Sequence, residues 1–134
     1  MKTLLAAHLA FKKCILEELK EYGLVTGNPK IMYYIYLNEG CQQKDIAENC
    51  YVKSATLSTE LSRMEKNNFI ERRRHDTDKR AYSIYIKDEA RHIFEEVNEV
   101  FDETTKIALE GFSDEEAKEL EDYLSRIESN MKKS

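Results

Sequence analysis

Leu4, His8, Phe11, Ile15, Leu19 and Tyr22 recur at spacings of three and four, and Leu5, Leu9 and Leu16 widen the same stripe. That period predicts a helix whose apolar face is broad enough to bury against two surfaces, ended by Gly23. Asn28-Pro29 predicts a second helix, since Asn caps well and Pro suits the first helical position. The helix that follows, IMYYIYLNEG, is short and aromatic and closes at Gly40.

Two further helical patterns are joined by a tight connection. Residues 42–49 place Ile46 and the small Ala47 inward, and Val52 plugs the turn. Ser54 is then placed to cap a helix with Leu57, Leu61 and Met64 inward, which is the pattern of a helix-turn-helix. The period changes after Asn67-Asn68. Phe69-Ile70 begins a strand through Arg72, Arg73 and Arg74, a polar turn follows over 75–79, and Tyr82, Ile84 and Ile86 alternate with Ser83 and Tyr85. Such alternation predicts a half-buried strand, and a charged hairpin after a helix-turn-helix is the wing of a winged helix.

Residues 88–110 return to the helical period with Ile93, Phe94, Val97, Val100, Phe101, Thr104 and Ile107 on one side, over a predicted length above roughly 30 Å. Gly111-Phe112 breaks it, and Ser113 with Glu116 forms a capping box for a last helix carrying Leu120, Tyr123, Leu124, Ile127 and Met131. These terminal helices hold more apolar surface than one winged helix buries, which predicts a homodimer built from the first helix and the last two. The fold class expected is mainly α with a small β-hairpin wing (α+β). One domain is expected over residues 1–134, with a winged helix-turn-helix core at 28–87 and a helical dimerisation region at 1–22 and 88–134.

Charge sharpens this picture. The net charge of −5 is segregated: residues 1–52 are neutral, residues 53–80 hold eight bases against five acids, and residues 88–134 hold six bases against fifteen acids. A basic segment in an acidic protein meets an anion locally while the remainder keeps the chain soluble. A length of 134 residues suits one domain. No apolar run approaches a membrane span, and Lys12, Lys13, Glu17 and Glu18 interrupt the N-terminal stretch, which reads as an amphipathic helix and not a signal peptide. Cys14, Cys41 and Cys50 form no paired framework, as expected of a cytoplasmic protein with inert, buried thiols. His8, His75 and His92 have no ligand spacing, the acids from Asp114 to Asp122 read as a helix face, and no phosphate loop or nucleophile–base set is present. Neither an enzyme nor a cofactor is expected.

The stretch from Gln42 to Ile86 resembles the MarR family of bacterial winged helix-turn-helix transcription regulators. The resemblance rests on Lys53-Ser54-Ala55-Thr56-Leu57, on Leu61-Ser62-Arg63-Met64-Glu65, on Phe69-Ile70-Glu71-Arg72 and on the wing motif from Asp76 to Arg80. Asn68 replaces the family's Gly before the strand, and Cys41 stands at the usual Ser/Thr cap. Lys87 and Ala90 replace Thr and Gly ahead of the long helix, moving its expected cap to Asp88.

The resemblance implies a homodimeric repressor of a pseudo-palindromic operator in double-stranded DNA. Lys53, Ser54, Ala55, Thr56, Thr59 and Arg63 would then face the major groove, offering short donors to base edges and phosphates. Arg80 would enter the minor groove, with Asp78 structuring the wing and Arg72, Arg74 and Lys79 meeting phosphates. Alternation turns Arg73 to the other face. A small aromatic or phenolic effector is the candidate ligand of His8, Phe11, Tyr33, Tyr34 and Tyr36, residues that alternatively only pack between layers. The competing reading is a winged-helix protein-interaction module with vestigial DNA affinity.

Overall fold

Asn28 stops the chain in an extended conformation, its Oδ1 accepts the Lys30 N–H at 3.3 Å, and Pro29 takes the first helical position. This start belongs to a computed structural model that describes residues 2–21, 28–74 and 81–133. Helix α1 covers Lys2–Glu21, α2 Pro29–Leu37, α3 Gln43–Cys50 and α4 Ser54–Lys66. Strands β1 (Ile70–Arg74) and β2 (Tyr82–Ile86) follow, then a 3₁₀ turn at Asp88–Ala90, α5 (Arg91–Ala108) and α6 (Asp114–Lys132). The strands pair antiparallel from Ile70 opposite Ile86 to Arg74 opposite Tyr82. Gly23 and the wing tip at 75–80 lie outside the described residues.

The core sits where α2, α3 and α4 meet the hairpin and α5. Ile31, Ile35, Ile46, Leu57, Leu61, Ile70, Ile84 and Phe94 are wholly buried, each removing on the order of 2 kcal/mol of apolar exposure from water. Ala47 and Val52 pack against this core from the helix-turn-helix corner. Tyr51 makes that corner in the left-handed region at φ 55°. Asn68 takes φ 63° at the exit of α4, so it supplies the backbone shape that Gly would otherwise give.

Several local expectations need correction. Gln42, not Cys41, precedes α3, and the Asp45 carboxylate accepts the Gln42 N–H at 3.0 Å. Ser54 is the first residue of α4 and not its cap: Lys53 holds that place, with no side-chain bond to the helix. The expected long helix opens as a 3₁₀ turn after Lys87, so Asp88 lies inside the turn and not at a cap. What remains is an α5 of 18 residues, about 27 Å long. Ser83 is buried although alternation turned it outward, because residues 40–42 run alongside β2. Gly40 N–H donates to Ile84 O and Ile84 N–H donates to Cys41 O, both at 2.8 Å, and Gln42 bridges to Ser83. The outer edge of β2 is therefore covered, while Tyr82 and Tyr85 stay half-buried.

The terminal helices are open in the single chain. On α1 only Ile15 and Leu19 are buried, while Leu4, Leu5, Leu9 and Leu16 are exposed. No residue of α6 is buried, and Tyr123, Leu124, Ile127 and Met131 line its exposed apolar side. Among the described residues no helix is long and apolar enough to cross a membrane.

Candidate nucleic-acid interface

Leu57, Leu61 and Met64 anchor α4 on the core and so turn its other face outward. Lys53, Ser54, Ala55, Thr56, Thr59 and Arg63 are all exposed, as the sequence pattern placed them. The N-terminal turn carries no acid and no side-chain cap, so its N–H groups and the positive end of the helix dipole face outward without a competitor. Thr59 is less free, its hydroxyl donating to the Ala55 carbonyl at 3.2 Å. Arg63 is exposed and lies 3.3 Å from the carboxylate of Glu60, which is itself half-buried.

The hairpin divides its arginines. Arg72 turns onto α4, with its guanidinium 3.3 Å from Ser62 Oγ and 3.9 Å from a Glu65 carboxylate oxygen. It braces the wing against α4 and its Nε is buried without a hydrogen bond, which leaves less of it for phosphate than the sequence pattern suggested. Arg73 takes the opposite face, pairing with Glu71 and lying 4.0 Å over the Tyr85 ring. Arg74 is exposed and donates to the Tyr82 hydroxyl at 3.2 Å. Asp78, Lys79 and Arg80 lie outside the described residues.

Two residues escaped the sequence reading. Gln43 Nε2 donates to Ser58 Oγ at 2.8 Å, tying the first turn of α3 to the exposed face of α4. Its only sequence signal was a polar side chain at the start of α3. Glu39 holds Arg91 across the molecule, and nothing local to either residue announces the pair.

Of the aromatic residues, Tyr33 stacks on Phe101 with centroids 4.1 Å apart and planes 4° from parallel. Tyr34 accepts a hydrogen bond from Asn49 at 3.2 Å. Burial first, and then Asp102 for Tyr33 and Cys41 for Tyr34, push both phenols above their ordinary pKa. Phe11 and Tyr36 also pack on the core, whereas His8 is exposed on α1 and is not gathered with them. An open groove of about 370 Å³ lies elsewhere, along the outer side of α1 between Leu9, Lys12, Leu16 and Lys20. Among the described residues no group of His, Cys, Asp and Glu is arranged to hold a metal ion.

A helix-turn-helix with an exposed polar second helix and a two-stranded wing defines the winged helix-turn-helix class. The model of the MarR family matches residues 29–82, so the winged helix-turn-helix segment of this chain is that of the MarR family of transcription regulators. The chain is 28% identical to the HTH-type transcriptional regulator BilQ of Clostridioides difficile (strain CD3) over 102 residues, 76% of this chain and 69% of that protein. It is 29% identical to the uncharacterized HTH-type transcriptional regulator YwoH of Bacillus subtilis (strain 168), over 91% of this chain and 87% of that one. Its fold matches a putative MarR family transcriptional regulator from Listeria monocytogenes, solved in complex with a 26mer DNA, at a TM-score of 0.85 and 20% identity. That match covers 97% of this chain and 87% of the other.

Proposed function

We propose that this chain is a homodimeric repressor that binds a pseudo-palindromic operator in double-stranded DNA. The observation that carries this reading is the exposed, uncapped and acid-free N-terminal turn of α4, flanked by Lys53 and Arg63 within a MarR-type winged helix. Residues 28–87 form the DNA-binding core in this reading. Residues 1–22 and 88–134 form the dimerisation region, with the exposed leucines of α1 and the apolar side of α6 covered by a second copy. The two α4 helices enter successive major grooves, and the wings, through Arg80 ordered by Asp78, enter the flanking minor grooves. Backbone N–H groups and Lys53 meet phosphates, and Ala55 and the methyl of Thr56 lie where a thymine methyl is read. The Listeria protein of the same fold, solved in complex with a 26mer DNA, supports DNA binding by this fold.

Release of the operator is assigned to a small aromatic or phenolic effector held by Phe11, Tyr33, Tyr34 and Tyr36. Such a ligand acts only by binding one separation of the two α4 helices better than another. The Tyr33–Phe101 stack joins α2 to α5 beside these residues.

The test is selection of bound duplexes from a random library by the purified protein at near-physiological salt. An enriched inverted repeat with half-sites about one helical turn apart supports the reading. No enrichment by folded dimer, together with DNA binding that barely responds to salt, returns the protein to the class of interaction modules.

A further inference from the structure

The corner where the wing runs into α5 is held by one carboxylate. Glu39 follows α2, and its Oε1 accepts the Ile86 N–H at 3.1 Å, on the last residue of β2. The same carboxylate takes a forked pair from Arg91, the first residue of α5, with Nη2 at 2.9 Å from Oε1 and Nη1 at 3.2 Å from Oε2. Ile86 is buried, so its N–H has no recourse to water. Along the outer edge of β2 the Ile84 N–H is met by the backbone of Cys41, and the next outward N–H is met by this side chain. Beside it, a Cβ at Gly40 would lie 3.4 Å from the Tyr85 hydroxyl, and Tyr85 carries Arg73 on its ring. Arg91, Ile86 N–H and Arg73 all draw the Glu39 carboxyl below its ordinary pKa, Arg91 most strongly.

From this geometry we infer that Glu39 is a positioning residue for DNA binding. It fixes the angle between the wing hairpin and α5, and through α5 the separation of the two half-sites that a dimer reads. The inference rests on the dimeric DNA-binding reading above. Its physical basis is that one Glu39 carboxylate bonds both sides of the corner, and a forked guanidinium–carboxylate pair fixes orientation as well as distance. Glu39 touches no DNA in this account, so it acts only through the hairpin and α5.

Two variants break the fork from opposite sides. Glu39→Gln keeps an acceptor for Ile86, and Arg91→Gln leaves Glu39 on Ile86 while removing the cation. Backbone residual dipolar couplings are measured on each full-length variant, and binding is measured to inverted repeats with half-sites moved one base pair closer or further apart. The expected result has three parts. The hairpin and α5 couplings fit one alignment frame in the unsubstituted protein and no longer do so in either variant. Both variants lower the preference for the selected spacing by roughly tenfold, as expected when a coupling of ordinary size is lost. Restoring the fork geometry with Arg91→Lys fails, because an ammonium lacks the fork.

Couplings that stay on one frame in both variants overturn the inference. So do altered couplings with an unchanged spacing preference, which would leave Glu39 a stabilising role only. If the unsubstituted protein selects no inverted repeat, the functional reading itself fails. Selection by that protein with unaltered variants fails the inference alone.

Discussion

Arg91 and Glu39 lie 52 positions apart in sequence and meet in a forked ion pair, one carboxylate serving the guanidinium and the Ile86 N–H at once. The pair joins three elements that the hydrophobic pattern defines separately: the exit of α2, the end of β2 and the start of α5. It is partly open to water, so its Coulombic part is modest, and the larger contribution is the acceptor it gives to a buried N–H.

Glu39→Ala is therefore expected to destabilise the protein by about 1–3 kcal/mol, with Glu39→Gln losing less, in urea unfolding at neutral pH. The pH dependence has a definite sign. The folded carboxyl titrates below the ordinary 4.5 of the unfolded chain, so its contribution is complete above about pH 4.5. It fades as pH falls through the folded value. The stability difference between the protein and Glu39→Gln is expected to be flat from pH 8 to about pH 5 and to shrink in acid. A difference that grows on acidification contradicts the pairing.

Cys41 gives a chemical test of the α2–α3 corner. Burial first, then the charge of Asp45, push its thiol from 9.0 up to about 11. Two pKa units remove about ninety-nine hundredths of the thiolate at pH 8, and thiolate is the species that alkylates. Iodoacetamide is expected to modify Cys41 about a hundredfold more slowly in the folded protein than in urea, read by peptide mass spectrometry. A folded-state rate near the unfolded one would place Asp45 and the buried corner wrongly.

Local chemistry made most of the fold legible. Asn28-Pro29, the Ser113–Glu116 capping box and the buried triplet Leu57, Leu61 and Met64 all lie where the pattern put them, because each is decided within a few residues. The exposed face of α4 followed from the same triplet. Features that depend on distant chain were not legible. Ser83 is buried by residues 40–42, and Arg72 is claimed by Ser62 and Glu65 on α4. Glu39 finds its partner only once α5 crosses the end of α2. The caps of α3 and α4 were missed by one residue each, since Gln42 and Lys53 occupy extended backbone without the side chains that usually mark a cap.

The apolar side of α6 tests the dimer. Leu124 is 47% exposed in the single chain, beside Tyr123 and Ile127. A two-fold interface buries each substituted residue twice, so Leu124→Glu loses two apolar burials of about 2 kcal/mol each and places two charges in apolar surroundings. Dimer dissociation is expected to strengthen at least a hundredfold, with monomer at micromolar concentration in analytical ultracentrifugation and little change in helical circular dichroism. An unaltered dimer would remove α6 from the interface.

Arg63 and Arg80 separate two kinds of DNA contact. Arg63, on the exposed face of α4, pairs with Glu60 at 3.3 Å and keeps its guanidinium open to an incoming phosphate. Arg63→Ala is expected to weaken binding to all duplexes by a similar factor and to lower the slope of log affinity against log salt by about 1, as loss of one phosphate contact does. Arg80 is assigned to the minor groove, where narrow A·T-rich steps concentrate negative potential. Arg80→Ala is expected to weaken a selected operator by at least roughly tenfold and a mixed-sequence duplex by less, so the ratio between them falls. Fluorescence anisotropy at three salt concentrations reads both quantities from one titration series. Equal losses on operator and mixed sequence for Arg80→Ala would make Arg80 a phosphate contact, and no loss at moderate salt would take the wing tip out of the groove.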